Sequence, residues 1–167
     1  KQAGIVSLHA VTTTNAIRFL FDTTGDENTR RMLLLQNAAF LPMFRASMEG
    51  RGHVGGTTID ALQTDSADDK SADLETIFEN VGRKQLAASR GVLQYLNEGN
   101  DPRTLISAAR RLIFLKGTNA HDYKFSSALL EDCYKVSPGF RNQFLAAGST
   151  MLRGSSLGDN ELVARIR

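Results

Sequence analysis

Apolar residues recur along this chain at intervals of three and four, the period that gathers them on one side of an α-helix. Ile5, Leu8, Ala16, Ile17 and Leu20 mark such a face near the start. Residues 22–28 are polar and contain Gly25, so a loop is expected there, with Asp26 or Asn28 capping the helix that follows. That second helix carries Met32, Leu33, Leu35, Ala39 and Phe40 and is apolar almost all round, the pattern of a central, buried element. Pro42 is expected to kink it or to end its first part, because proline lacks the helical N–H donor.

The periodicity stops over residues 50–71, where glycine, threonine and the aspartates Asp65, Asp68 and Asp69 predict a surface loop within one domain. Leu74, Ile77, Phe78, Val81 and Leu86 restart the helical period, and Val92, Leu93 and Leu96 continue it, with Gly82 and Gly91 as weak points. A turn at residues 97–101 leads to Pro102 at a first helical position, then to the face Leu105, Ile106, Ala109, Leu112 and Ile113, closed by Gly117. Asn119 caps the next helix, with Asp122 at its third position, and this helix is expected to reach about Tyr134. Ser137-Pro138 opens another, closed by Gly154, and residues 159–167 suit a last short helix. No run alternates as a strand would. The expected fold is all-α, a helical bundle of about six or seven helices with one glycine/aspartate-rich loop. Residues 1–167 are expected to form a single domain, and the start at Lys1 suggests a fragment or the C-terminal half of a longer protein.

Composition narrows the function classes. The chain has 167 residues, 41% hydrophobic and 23% charged, enough for one sizeable core and too apolar for wholesale disorder. With 20 basic and 18 acidic residues the net charge is only +2, so electrostatics offers no case for nucleic acid or an anionic membrane as partner. No apolar run approaches the roughly 18–20 residues of a membrane span. Cys133 is the only cysteine, which excludes an intrachain disulfide and fits a reducing, cytoplasmic setting.

Gly50-Arg51-Gly52-His53-Val54-Gly55 spells a dinucleotide fingerprint, but that motif needs a strand before it and a helix after it. Here a helix precedes and a loop follows, so the nucleotide interpretation fails. Of the three histidines, His53 falls in this loop and reads as solvated. His9 lies in the first helix beside its apolar face. His121 sits in the first turn of its helix with Lys124 three positions on, so the two share a side that continues to Phe125 and Ala128 and is expected to face inward. Helix-borne histidines facing a bundle interior are how such folds assemble metal sites. A buried histidine can equally be a hydrogen-bonded core residue, Lys124 an ion-pair partner of Glu131 or Asp122, and Cys133 a small core residue.

The segment Leu8-His9-Ala10-Val11-Thr12-Thr13-Thr14-Asn15-Ala16-Ile17-Arg18 resembles a histidine-bearing helix of the questin oxidase-like family. Asn119-Ala120-His121-Asp122-Tyr123-Lys124-Phe125, with Ala128 and Glu131 beyond, resembles that family's histidine–x–x–lysine helix. Both matches fall, in order, in the family's C-terminal half. The resemblance implies a helical, iron- or other divalent-metal-dependent oxygenase acting on a small aromatic or polyketide-like molecule. His9 and His121 would be metal ligands, with Lys124 at the metal as ligand or catalytic group. An ammonium has no lone pair, so Lys124 would act deprotonated or carbamylated, or would orient a bound anion. A reduced nicotinamide electron donor is compatible with such chemistry, though no residue reads as its site. Family members are longer and carry further histidines in an N-terminal half, so a second chain or a missing N-terminal segment would have to complete the site. The alternative is a non-catalytic helical interaction subunit that keeps the fold without the chemistry.

Overall fold

The fold is all-α: helix accounts for 73% of the described residues. The computed structural model describes residues 4–52, 56, 58–63 and 73–166, and among these there are eight helices and no strand. The chain groups into two compact units, Lys1–Gly56 and Thr57–Arg167, which part within the stretch expected from the sequence to be a loop. Most of that stretch, His53 included, lies outside the described residues.

The first unit is a hairpin of α1 (Gly4–Thr23) and α2 (Glu27–Glu49). Asp26 ends the short connection, and its carboxylate accepts from the Thr29 N–H at 2.6 Å, satisfying a donor that the first helical turn leaves open. Contacts of residue 7 with 48, 14 with 37 and 21 with 30 fix the pairing as antiparallel. The hairpin buries Val6, Leu8 and Ile17 on α1 and Leu33 on α2. Beside them Thr14 Oγ1 donates to Asn37 Oδ1 at 3.1 Å, and Ser7 Oγ donates to Met48 Sδ at 3.1 Å. Arg30 lies over the Phe21 ring, donates to the Phe21 carbonyl at 3.3 Å and pairs with Glu27 at 2.7 Å.

Of the two outcomes expected at Pro42, a kink or an end, the end does not occur: α2 continues to Glu49. The carbonyl that would have met the missing proline N–H is that of Ala38, an exposed residue whose oxygen water can reach. Nor is α2 a buried central element: of its apolar residues only Leu33 is buried. Periodicity measures how apolar a helix surface is, not what covers it.

The second unit holds α3 (Leu74–Asn80), α4 (Gln85–Asn97), α5 (Pro102–Lys116), α6 (Ala120–Asp132), α7 (Pro138–Ser149) and α8 (Glu161–Ile166). The helix expected from Leu74 to Leu96 is divided at Gly82, which takes φ +83°, a conformation that glycine alone adopts without strain; this accounts for the eighth helix. Gly91 by contrast stays within α4. Asp73 caps α3 and Asp101 caps α5 ahead of Pro102, each through its carboxylate. α4 packs on α3 and α7, and α6 on α5 and α7. Their facing sides bury Ile77, Val92, Leu105, Leu129, Leu130 and Leu145.

α7 ends at Ser149, short of Gly154, and the segment after it runs back over the other helices. Gly154 lies against the C-terminal end of α3, and the Ser155 N–H donates to the Phe78 carbonyl at 3.0 Å. Lys116 reaches the Leu157 carbonyl and pairs with Asp159 at 3.1 Å. Asn160, itself buried, donates through Nδ2 to the carbonyls of Phe114 and Gly117 at 2.8 and 3.1 Å, and its Oδ1 caps α8 by accepting from the Val163 N–H at 3.1 Å.

A Cβ at Gly154 would fall on the carbonyl oxygens of Val81 and Phe78, the second at 2.8 Å, and backbone cannot yield as a flexible side chain can. Gly154→Ala should therefore lower unfolding stability by about 1–3 kcal/mol. Gly139→Ala, in open space within α7, should be neutral or stabilising by up to about 1 kcal/mol. Equal denaturation midpoints for the two variants would show that the segment after α7 does not lie on α3.

Candidate functional site

The residues picked out from the sequence fall in both units: His9 on α1 of the first, His121 and Lys124 on α6 of the second. All three are exposed. The inward orientation expected for the His121–Lys124 side is therefore corrected. The buried arc of α6 is centred on Phe125, Leu129 and Cys133, with Ser126, Ala128 and Leu130 on its flanks. His121 lies at the edge of that arc but in the first turn, and Lys124 lies outside it, on the side of Ser127 and Glu131.

Local chemistry holds the start of α6 firmly. Asn119 Oδ1 accepts from the N–H groups of His121 and Asp122 at 2.9 and 3.3 Å, and Asp122 completes a capping box. Asp122 Oδ2 accepts from the N–H groups of Thr118 and Asn119 at 2.9 and 3.3 Å and also forms a close ion pair with Arg153. Arg153 donates in addition to Thr118 Oγ1 at 3.0 Å. The carboxylate expected as a helix cap thus also anchors a residue from beyond α7. No local pattern announces Arg153, which lies 31 positions along the chain. Glu131, the other partner considered for Lys124, accepts from Ser127 Oγ at 2.9 Å.

Among the described residues no group of three or more His, Cys, Asp or Glu side chains is arranged to hold a metal ion. On α6, His121 offers one imidazole and Lys124 an amine that ligates only after losing its proton. That donor set does not by itself fit iron, which needs several histidine or carboxylate ligands. Between α5 and α6 lies a half-open cleft of about 150 Å³, lined among others by Arg110, Ile113, Phe114, Tyr123, Leu130 and Glu131. It is smaller than the roughly 300–1,000 Å³ typical of small-molecule sites. Cys133 is buried, its thiol donates to the Leu130 carbonyl at 3.3 Å, and burial pushes its pKa up, which makes it the core residue anticipated from the sequence rather than a reactive thiol.

The larger feature is an apolar surface. On α2, Met32, Leu35 and Met43 are 65%, 65% and 63% exposed, and Leu34 and Leu41 are about half exposed. A scattered exposed leucine is ordinary, but Met32, Leu35 and Met43 lie along one side of α2, with Leu34 and Leu41 further round it, and three large apolar side chains in line are the mark of a contact surface. Its signal was present in the sequence as a helix apolar all round.

Among the described residues no helix is long and apolar enough to cross a membrane. Comparison with protein-family models, with curated proteins and with solved structures finds no match to this chain.

Burial pushes the Asp122 carboxyl up, but the Arg153 guanidinium and the Thr118 and Asn119 N–H groups outweigh it and hold the pKa below the ordinary carboxylate value. A carboxyl with a depressed pKa stabilises the fold above its unfolded pKa, and that contribution is lost as pH falls through the folded one. Asp122→Asn should therefore lower stability by about 1 kcal/mol at neutral pH. The gap between variant and parent should close in acid, below the carboxylate range. A gap independent of pH would mean that the carboxylate charge contributes nothing.

Proposed function

We propose that this chain is a helical interaction subunit whose α1–α2 hairpin docks a partner through the outer surface of α2. The observation that carries this function is the exposure of Met32, Leu35 and Met43 along one side of α2. Covering that side would add to what the hairpin already buries, because burying each large aliphatic side chain contributes about 1.5–3 kcal/mol. The partner that fits is another amphipathic helix with an apolar seam, since helix surfaces pack ridge into groove. A photo-cross-linker at Gln36, which is exposed on α2, should join the chain to a helical segment with an apolar stripe, identified by mass spectrometry. Leu35→Glu should abolish the adduct, whereas Leu86→Glu on α4 should leave it. Adducts unaffected by Leu35→Glu would end this assignment.

The resemblance to questin oxidase-like proteins supports a second function: a non-haem iron oxygenase acting on an aromatic, polyketide-like substrate. His9, His121 and Lys124 would be metal ligands, and the remaining ligands would come from a second chain or a further segment. The observation in its favour is that His121 and Lys124 stand exposed, three positions apart, at a firmly capped helix start where ligands from elsewhere can reach them. After reconstitution with ferrous iron, His9→Ala and His121→Ala should each remove most of the bound metal, with His53→Ala as control. Lys124→Arg should lose as much as Lys124→Ala, because arginine cannot take the place of a neutral or carbamylated amine. Metal content unchanged in both histidine variants would rule this function out.

A further inference from the structure

We infer that the partner of α2 is a second copy of this chain, paired antiparallel about Ala39; this rests on the interaction-subunit function proposed above. At 100° per residue, Met32, Leu35, Ala39, Met43 and Ala46 fall within one narrow stripe about 21 Å long, and all five are exposed. Their spacing is three, four, four and three, which keeps them on one side of the helix and matches the 11-residue repeat rather than the heptad of a left-handed coiled coil.

The order of residue sizes along the stripe is self-complementary. A two-fold axis through Ala39 sets residue i opposite residue 78 − i of the second copy. Met32 then meets the small Ala46, and Leu35 meets Met43. Ala39 faces its own counterpart, where two methyl groups let the backbones approach closely. Large side chains thus meet small ones at both ends, as interdigitating packing requires.

Charge agrees with the same register. Arg31 and Glu49, both exposed, lie on the same flank of the stripe. In an antiparallel pair that flank faces its own copy, and position 47 stands opposite Arg31, so the second copy's Glu49 is about half a turn away. The axis generates this attraction twice. The other flank carries the neutral Thr29, Gln36 and Ser47 and adds no repulsion. A parallel pair would instead bring each flank against the other, setting Arg31 and Glu49 opposite the neutral Thr29, Gln36 and Ser47 and losing the attraction, so the charges favour the antiparallel arrangement.

The test uses the full chain. Light scattering against concentration should show a monomer–dimer equilibrium, and Leu35→Glu should leave a monomer with the helical circular dichroism of the parent. Arg31→Glu should weaken the dimer by about three- to tenfold, as two lost surface pairs would, and the charge swap Arg31→Glu with Glu49→Arg should restore it. On mild oxidation, an equal mixture of Leu35→Cys and Met43→Cys chains should form the mixed disulfide in large excess over either self-linked species. A parent monomeric at several hundred micromolar would overturn the pairing, as would self-linked species predominating or a charge swap that fails to restore the dimer. If the chain is monomeric while the Gln36 cross-linker still captures a different protein in a Leu35-dependent way, the second copy is wrong and the interaction subunit stands. If nothing is captured, both fail.

Discussion

The pair between Arg153 and Asp122 joins two stretches of chain that no helical ladder connects, and the second unit is organised around what it holds. On one side is the start of α6, where Asp122 already satisfies two backbone N–H groups. On the other is the segment between α7 and α8, which from Arg153 onward meets α6, α3 and α5 in turn. Each meeting involves the ends of helices, where carbonyl or N–H groups lack intrahelical partners. The segment therefore stabilises the unit by satisfying polar backbone as well as by covering apolar surface.

The two units solve the burial problem differently. In the second, α3 to α7 share an apolar interior, and polar contacts tie the segment after α7 to helix ends. In the first, the contact between the two helices includes a threonine–asparagine hydrogen bond and an arginine lying over a phenylalanine ring, while large apolar side chains point outward. Specific polar contacts fix register but add little net free energy, typically about 1 kcal/mol each. The hairpin is thus well defined in geometry and poor in hydrophobic stabilisation of its own.

What the sequence made legible was local. Asp26 as one of two candidate caps, Pro102 at a first helical position, and Asn119 with Asp122 could be placed because such signals lie within a few residues of the helix they open. Gly82 was a visible weak point, and the structure spends it on a turn. Gly117 closes α5 as expected, with φ −70°, and glycine is needed there because a Cβ would strike the Ile113 carbonyl and the Tyr123 ring. That constraint, like the roles of Arg153 and Gly154, depends on distant segments and leaves no local trace. The side on which His121 and Lys124 stand was misjudged for a related reason. Two neighbouring apolar residues located the edge of a face, and its centre lay further round the helix.

The outward-facing stripe of α2 also bears on how the first unit acquires its structure. A hairpin whose buried side chains are Val6, Leu8, Ile17 and Leu33 has little of its own with which to offset the conformational entropy of ordering about forty residues. If most of its apolar burial comes from association, folding and assembly of this unit are one mass-action equilibrium, and its melting temperature is a property of concentration rather than of the chain alone. Cells could then regulate the structured form of the hairpin through expression level, without any modification of the protein.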